Sequence, residues 1–384
     1  MKFQDTQSMD KRLELISKLS KTFLARSAKI DEDGAFPFQN ISELKMSGYT
    51  SLTLPKRFGG EEISLYDLVR FQEFIARGDG ATALSIGWHM GIIQDLGEKK
   101  SWNESMFQML CDDVKNGALI NNCASEPQTG SPTRGGRPTT SAVKQEGYWL
   151  INGRKTFTTL SPLLDYFNVT ASIPESDQVA YFLIPRTTQG VEIEETWDSI
   201  AMKGTGSHDL VLNNVRVKEE YLVEYIEPGK KGASGWLLHI PACYLGIAQA
   251  AASYAIEFAK SYSPNSIQGT ISDLPNVKQK IGEMELELMR ARHFLYSVAN
   301  QWDHSAKDER AHMNPELGAV KLSVTNSAIT VVDLAMRIVG ARSLSEKNPL
   351  QRYYRDVRAG LHNPPMDDMT ILLLANDAIN RCND

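Results

Sequence analysis

The spacing of apolar residues changes period twice along the chain, and this divides the sequence before any motif is considered. From Asp10 to about Gly117, residues such as Ile16, Leu19 and Phe23 recur at intervals of three and four, the spacing of one helix face. From about Ala118 to Pro228 the period is two: Phe167, Val169, Ala171 and Ile173 alternate with Tyr166, Asn168, Thr170 and Ser172, and further strands are predicted at 180–184 and 210–217. Helical spacing then returns. Val277, Ile281, Met284, Leu288, Ala291, Leu295, Val298 and Trp302 form one stripe, and Leu317, Val320, Val324, Val331, Ala335 and Ile338 a second. The pattern predicts an α+β, mostly helical protein. An N-terminal helical domain (1–118) would be followed by a small antiparallel β-barrel or sandwich (119–228) and a C-terminal four-helix bundle (229–384). More than one core is expected, because single cores rarely grow beyond roughly 250–300 residues.

Local signals refine this. Ser64 followed by Asp67 predicts a helix cap, and Pro55, Gly59 and Gly60 predict a loop between Tyr49 and Gly60. Gly147, Gly153, Gly190 and Asn213-Asn214 are expected to supply the turns of the β-domain.

Composition excludes several classes. A net charge of −6 with no basic block argues against nucleic-acid binding. Cys111, Cys123, Cys243 and Cys382 are widely separated, which argues against a zinc site or disulfide framework and fits a reducing cytoplasm. No apolar run approaches the roughly 18 residues of a membrane span, and no secretory signal is visible after Met1.

The chemistry is expected between Asn121 and Thr159. A small, hydroxyl-bearing loop (Ser125-Glu126-Pro127-Gln128-Thr129-Gly130-Ser131) precedes a strand that ends in Thr156, Thr158 and Thr159. Backbone N–H groups and short hydroxyls in this order suit a flat, polar, phosphate-bearing ligand. An ordinary hairpin with a Gly/Pro/Thr-rich loop reads the same way. No GxGxxG is present.

Helical domain, β-domain and bundle, in that order, resemble the acyl-CoA dehydrogenase superfamily. The Ser125–Ser131 loop is similar to its Thr-Glu-Pro-x-x-Gly-Ser loop, Asn152-Gly153-Arg154-Lys155 to its Asn-Gly-x-Lys strand, and Asn213–Val217 to a further family strand. The resemblance implies a flavin, FAD first and FMN as the alternative. Asn122, Ala124 and Ser125 would line the isoalloxazine edge, with Gly130 and Ser131 near the pyrophosphate. Phe157 would pack beside the ring and Thr159 would face N5, where a rotating hydroxyl could serve both redox states. At the end of the second stripe the family's Gln-x-x-Gly-Gly turn reads Arg337-Ile338-Val339-Gly340-Ala341-Arg342, so the resemblance implies that Arg337 and Arg342 would replace the clasp by charge, with Gly340 in the turn at the cofactor. The β-domain would contact the flavin and the bundle would form the interface of a homotetramer.

The dehydrogenases use a carboxylate base. Its two known seats in the family read Pro364 and Trp236 here. Leu361-His362-Asn363-Pro364, Gly204-Thr205-Gly206-Ser207-His208-Asp209 and His89 resemble instead the flavin-dependent monooxygenases of this fold, the dibenzothiophene and 4-hydroxyphenylacetate types. That resemblance implies His362, His89 and Thr159 as the catalytic set. His208, in a turn, reads by itself as a solvated side chain and is left out of the set. The partners implied are a small-molecule substrate, an acyl-CoA being one option, and a flavin reductase or electron-transfer protein. An acyl-CoA dehydrogenase with an unusual base and a non-catalytic ligand-binding member stay open as alternatives.

Overall fold

The computed structural model describes residues 2–129, 135–229 and 232–382. Its first helices are α1 (Met9–Asp33), α2 (Phe38–Met46), α3 (Leu65–Gly78), α4 (Gly80–Lys99) and α5 (Glu104–Lys115). The strands follow as β1 (Ile120–Cys123), β2 (Ser141–Gln145), β3 (Tyr148–Thr158), β4 (Tyr166–Ile173), β5 (Gln178–Pro185), β6 (Val191–Glu194), β7 (His208–Lys218) and β8 (Leu222–Ile226). The remaining helices are α6 (His239–Ser261), α7 (Pro275–His304), α8 (Lys307–Ala311), α9 (Asn314–Val339), α10 (Pro349–Ala359) and α11 (Asp367–Arg381).

Helix ends follow the expected chemistry. The Ser64 hydroxyl accepts from the Asp67 amide at 3.0 Å, capping α3. Asp79 both ends α3 and caps α4, its carboxylate accepting from the Thr82 amide at 2.9 Å. Helix α4 reads Ala-Thr-Ala-Leu-Ser-Ile-Gly in its first turns, small or apolar on every side, and is buried almost all round against α3, α6 and β1.

The strands form one open sheet in the order β6-β7-β3-β2-β4-β5-β8. Pairing is antiparallel except at β4, which runs parallel to β1 over Tyr166–Val169 and meets β2 in parallel at Ser172. Strand β1 therefore lies beside β4 and brings the loop that follows it against the sheet. Gly147 and Gly190 do occupy turns, each with positive φ. Gly153 and Asn213-Asn214 do not: they lie within β3 and β7, where the register slips between Ile151 and Gly153. The Asn214 amide donates to Asn152 Oδ1 at 2.7 Å, and a Cβ on Gly153 would stand 2.4 Å from Thr140 Oγ1. Glycine is used there for close approach, not for reversal.

In the bundle α9 runs against α6 and α7, with α10 and α11 on its other sides. The stretch Asn314–Leu344, built around α9, is long and apolar enough by length and composition to cross a membrane. Here its Val320, Val324, Val331 and Ala335 are bundle core.

Candidate functional site

The loop after β1 is anchored from beneath by a buried ion pair. Lys155 on β3 and Glu126 in the loop are both 0% exposed, and Lys155 Nζ donates to Glu126 Oε1 at 2.6 Å and to Thr170 Oγ1 at 3.0 Å. Glu126 Oε2 accepts from the Thr139 amide and hydroxyl, both at 2.6 Å, and Oε1 from the Thr140 amide at 3.1 Å. Burial by itself would raise this carboxyl's pKa, but the Lys155 and Thr139 hydrogen bonds outweigh it and hold it down to about 2. Burial lowers that of the Lys155 ammonium, against the pull of Glu126. Two motifs read separately in the sequence are thus one structural unit. With Thr170 bonded to this unit on one face and Phe167, Val169 and Ala171 in the core on the other, β4 is covered on both faces at its middle. Asn168 donates to Asn122 Oδ1 at 2.7 Å, and Asn121 Nδ2 to the Thr159 carbonyl at 2.9 Å. Gly130 and Ser131 lie outside the described residues.

At the end of β3 a flat aromatic surface is left bare. Phe157 holds a positive φ of 55° and is 65% exposed, its ring edge-on to Trp197 with centroids 6.0 Å apart. Trp197 is fixed by its amide donating to His208 Nδ1 at 3.1 Å and its indole N–H donating to the Met202 carbonyl at 3.3 Å. His208 is therefore not a solvated turn residue. It opens β7 and positions the aromatic pair. Beside Phe157 stands a row of buried hydroxyls: Thr159 Oγ1 lies 2.8 Å from Ser207 Oγ, which lies 2.9 Å from Thr205 Oγ1. Half-buried Asn122, Ala124 and Ser125 belong to the same part of the sheet, where the Thr156 amide donates to the Ser125 carbonyl at 2.9 Å. A bare ring surface flanked by short hydroxyls and small side chains fits a flat, polar heteroaromatic ring.

The histidines divide sharply. His89 is fully buried, with Nε2 donating to the Thr50 carbonyl at 3.0 Å and Nδ1 accepting from the Ile120 amide at 3.2 Å. Burial lowers its pKa to about 4. Both nitrogens are engaged in joining α4 to β1 and to the Tyr49–Ser51 turn, so His89 has no free N–H to offer a substrate and is a structural staple. His362 is exposed, in the turn after α10, and the adjacent Asn363 accepts from the Tyr244 hydroxyl at 2.5 Å. The sequence reading missed a third ring, His239 at the start of α6. It is fully buried with neither nitrogen hydrogen-bonded, and burial lowers its pKa to about 3. It stacks on Trp236 at 5.8 Å and meets Trp88 edge-on at 5.0 Å. The Trp236 indole N–H is also buried without a partner. The position that the resemblance assigns to one seat of the carboxylate is thus an indole in an aromatic stack. The other, Pro364, lies two residues beyond His362.

Asp356 on α10 is buried and accepts from the Met202 amide at 2.6 Å. Burial raises its pKa to about 7, against the stabilising pull of that amide. Arg337, Gly340 and Arg342 are exposed at the far end of α9, where Arg342 covers the Tyr262 ring at 4.5 Å. In the single chain they are not gathered with Phe157 and Thr159.

Family profiles match three consecutive parts of the chain: the acyl-CoA dehydrogenase N-terminal domain at residues 13–100, the middle domain at 122–215 and the C-terminal domain at 238–363. The chain belongs to the acyl-CoA dehydrogenase family. A relative from Bacillus subtilis named "Putative acyl-CoA dehydrogenase YdbM" is 56% identical over 368 residues, 95% of this chain and 96% of that protein. Among solved structures, butyryl-CoA dehydrogenase from Megasphaera elsdenii superposes with a TM-score of 0.86 at 20% identity, over 99% of this chain and all of that one. The dibenzothiophene monooxygenase TdsC from Paenibacillus sp. A11-2, solved with FMN and indole, gives 0.85 at 23% identity, over 96% and 97% of the two chains. Such family proteins are flavin-dependent oxidoreductases, and both reaction branches share this fold.

Proposed function

We propose that the protein is a flavin-dependent monooxygenase-type oxidoreductase that holds FAD, or FMN in its place, against Phe157, Thr159 and the Asn122–Ser125 edge. The observation that carries this reading is the absence of a carboxylate from both family seats: Pro364 occupies one, and Trp236, stacked on His239, the other. A bound flavin supplies two-electron exchange with a substrate or with oxygen. Phe157 gives the ring a surface to rest on, Thr159 meets its polar edge, and the Lys155–Glu126 pair keeps the loop in register. His362, held in its turn by the Tyr244 to Asn363 bond, is the side chain free to orient substrate or donate a proton.

The deciding experiment is anaerobic addition of an acyl-CoA panel to the flavin-loaded protein. No bleaching is expected, and bleaching within turnover times would overturn the reading. His362→Ala should then leave flavin binding intact and oxygen consumption running, while the yield shifts from oxygenated product to hydrogen peroxide. The name of the Bacillus subtilis relative favours a second reading, an acyl-CoA dehydrogenase with His362 as the α-proton base. There the same variant would stop acyl-CoA-dependent flavin reduction, by about 10²–10⁴ in rate.

The reading includes a homotetramer. Leu286 and Met289 on α7 and Ile371, Leu372 and Ile379 on α11 are exposed, apolar and available to a second copy. Light scattering should give four times the chain mass. Free cysteines, three of them buried, fit a reducing cytoplasm, and a reductase or electron-transfer protein would complete the cycle.

A further inference from the structure

The hydroxyl row beside Phe157 has a direction. Thr159, Ser207 and Thr205 make three consecutive contacts, at 2.8 Å, at 2.9 Å and, from Thr205 Oγ1 to the Met202 carbonyl, at 3.0 Å. These three contacts have three hydroxyl protons to fill them. A carbonyl oxygen only accepts, so the last contact requires Thr205 to donate to Met202. The Thr205 oxygen must then receive the Ser207 proton, and the Ser207 oxygen the Thr159 proton. Any other arrangement leaves two buried oxygens facing each other, lone pair to lone pair, within 3.0 Å.

The carbonyl end of the row is fixed in place. The Met202 amide donates to Asp356 at 2.6 Å, and the Met202 carbonyl also receives the Thr205 amide at 3.1 Å and the Trp197 indole at 3.3 Å. All three hydroxyl residues are buried.

We infer that Thr159 presents its oxygen to the bound ring as an acceptor only, and that Ser207 and Thr205 are positioning residues that make the site prefer a flavin whose N5 carries a hydrogen, the reduced form. The inference rests on the proposed flavin reading, in which Thr159 faces N5. It replaces the expectation of a hydroxyl that rotates to serve both redox states. Oxidised N5 is an acceptor and meets an acceptor oxygen, whereas reduced N5–H meets a partner.

The test is the midpoint potential of the bound flavin, measured by dye equilibration on protein loaded with FAD and, separately, with FMN. Thr159→Val should weaken binding of the reduced form relative to the oxidised form by about tenfold, which lowers a two-electron potential by about 30 mV. Ser207→Ala frees the Thr159 proton to turn toward oxidised N5 and should also lower the potential, with tighter binding of the oxidised form. A rise in potential for Thr159→Val would mean that the hydroxyl is a donor, and the inference falls. Unchanged potentials in both variants would sink it while leaving the flavoprotein reading intact. Wild-type protein that binds neither FAD nor FMN overturns both. The sign for Thr159→Val decides even if Ser207→Ala does not fold, and a purely structural role for the row would not produce it.

Discussion

Two buried polar regions of this protein are built on opposite terms. Under the loop after β1, Lys155 and Glu126 are charged, fully buried and held by each other and by Thr139, Thr140 and Thr170. At the seam between α4 and α6, His239 and the Trp236 indole N–H are equally buried and hold nothing. His89, midway along the same helix α4, shows that the fold can satisfy an imidazole completely when the ring serves as a joint. The contrast separates polar groups that serve as joints from polar groups that join nothing. A buried polar group with all its partners keeps shape regardless of what binds, while one without partners is a standing cost in stability, of the kind found where function requires it.

The strongest way to break this comparison is to remove half of the ion pair. Lys155→Met leaves the Glu126 carboxylate buried and uncompensated, and denaturant unfolding should show a loss of about 3–5 kcal/mol. If stability is unchanged, the pair is not the anchor of the loop.

The histidines sharpen the comparison at smaller amplitude. His89→Leu strands the Thr50 carbonyl and the Ile120 amide and should cost about 2–4 kcal/mol, each orphaned group contributing about 1–3 kcal/mol. His239→Leu removes an imidazole that bonds to nothing, so stability should be unchanged or higher by about 1 kcal/mol. Equal losses in the two variants would erase the distinction.

The remaining effect is a slope with pH. Asp356 has its pKa raised to about 7 in the folded chain, so its contribution to stability is complete below the unfolded value near 4 and is lost as pH rises through 7. Glu126, held down to about 2, acts in reverse: its contribution is present above the unfolded value and is lost as pH falls toward 2. Stability curves of wild type and Asp356→Asn should diverge between pH 4 and 7 by at most about 1.4 kcal/mol per pH unit, the one-proton limit. Parallel curves would place the Asp356 carboxyl in its ordinary range.

Much of the architecture was legible in the sequence. The change of period from helical to two and back gave the order of elements, the Ser64 signal gave the α3 cap, and Gly147 gave the β2–β3 turn. The loop and strand motifs singled out Phe157 and Thr159, which the fold sets beside an exposed ring surface and a row of buried hydroxyls. These are local properties, carried by residues within a few positions of one another, and a helix stripe or a cap reports them without reference to the rest of the chain. Tertiary structure alone decided the rest. It turned Gly153 and Asn213-Asn214 from turns into a slipped register, took both nitrogens of His89 for backbone, and buried His239 unpaired in a run with no motif to mark it. It also joined Glu126 to Lys155, 29 positions apart, and Thr159 to Ser207, 48 apart. A hydrogen-bonding group has the same spelling whether its partner is present or not, and in this protein the partners that give Thr159 its direction are brought to it by the meeting of β3 and β7.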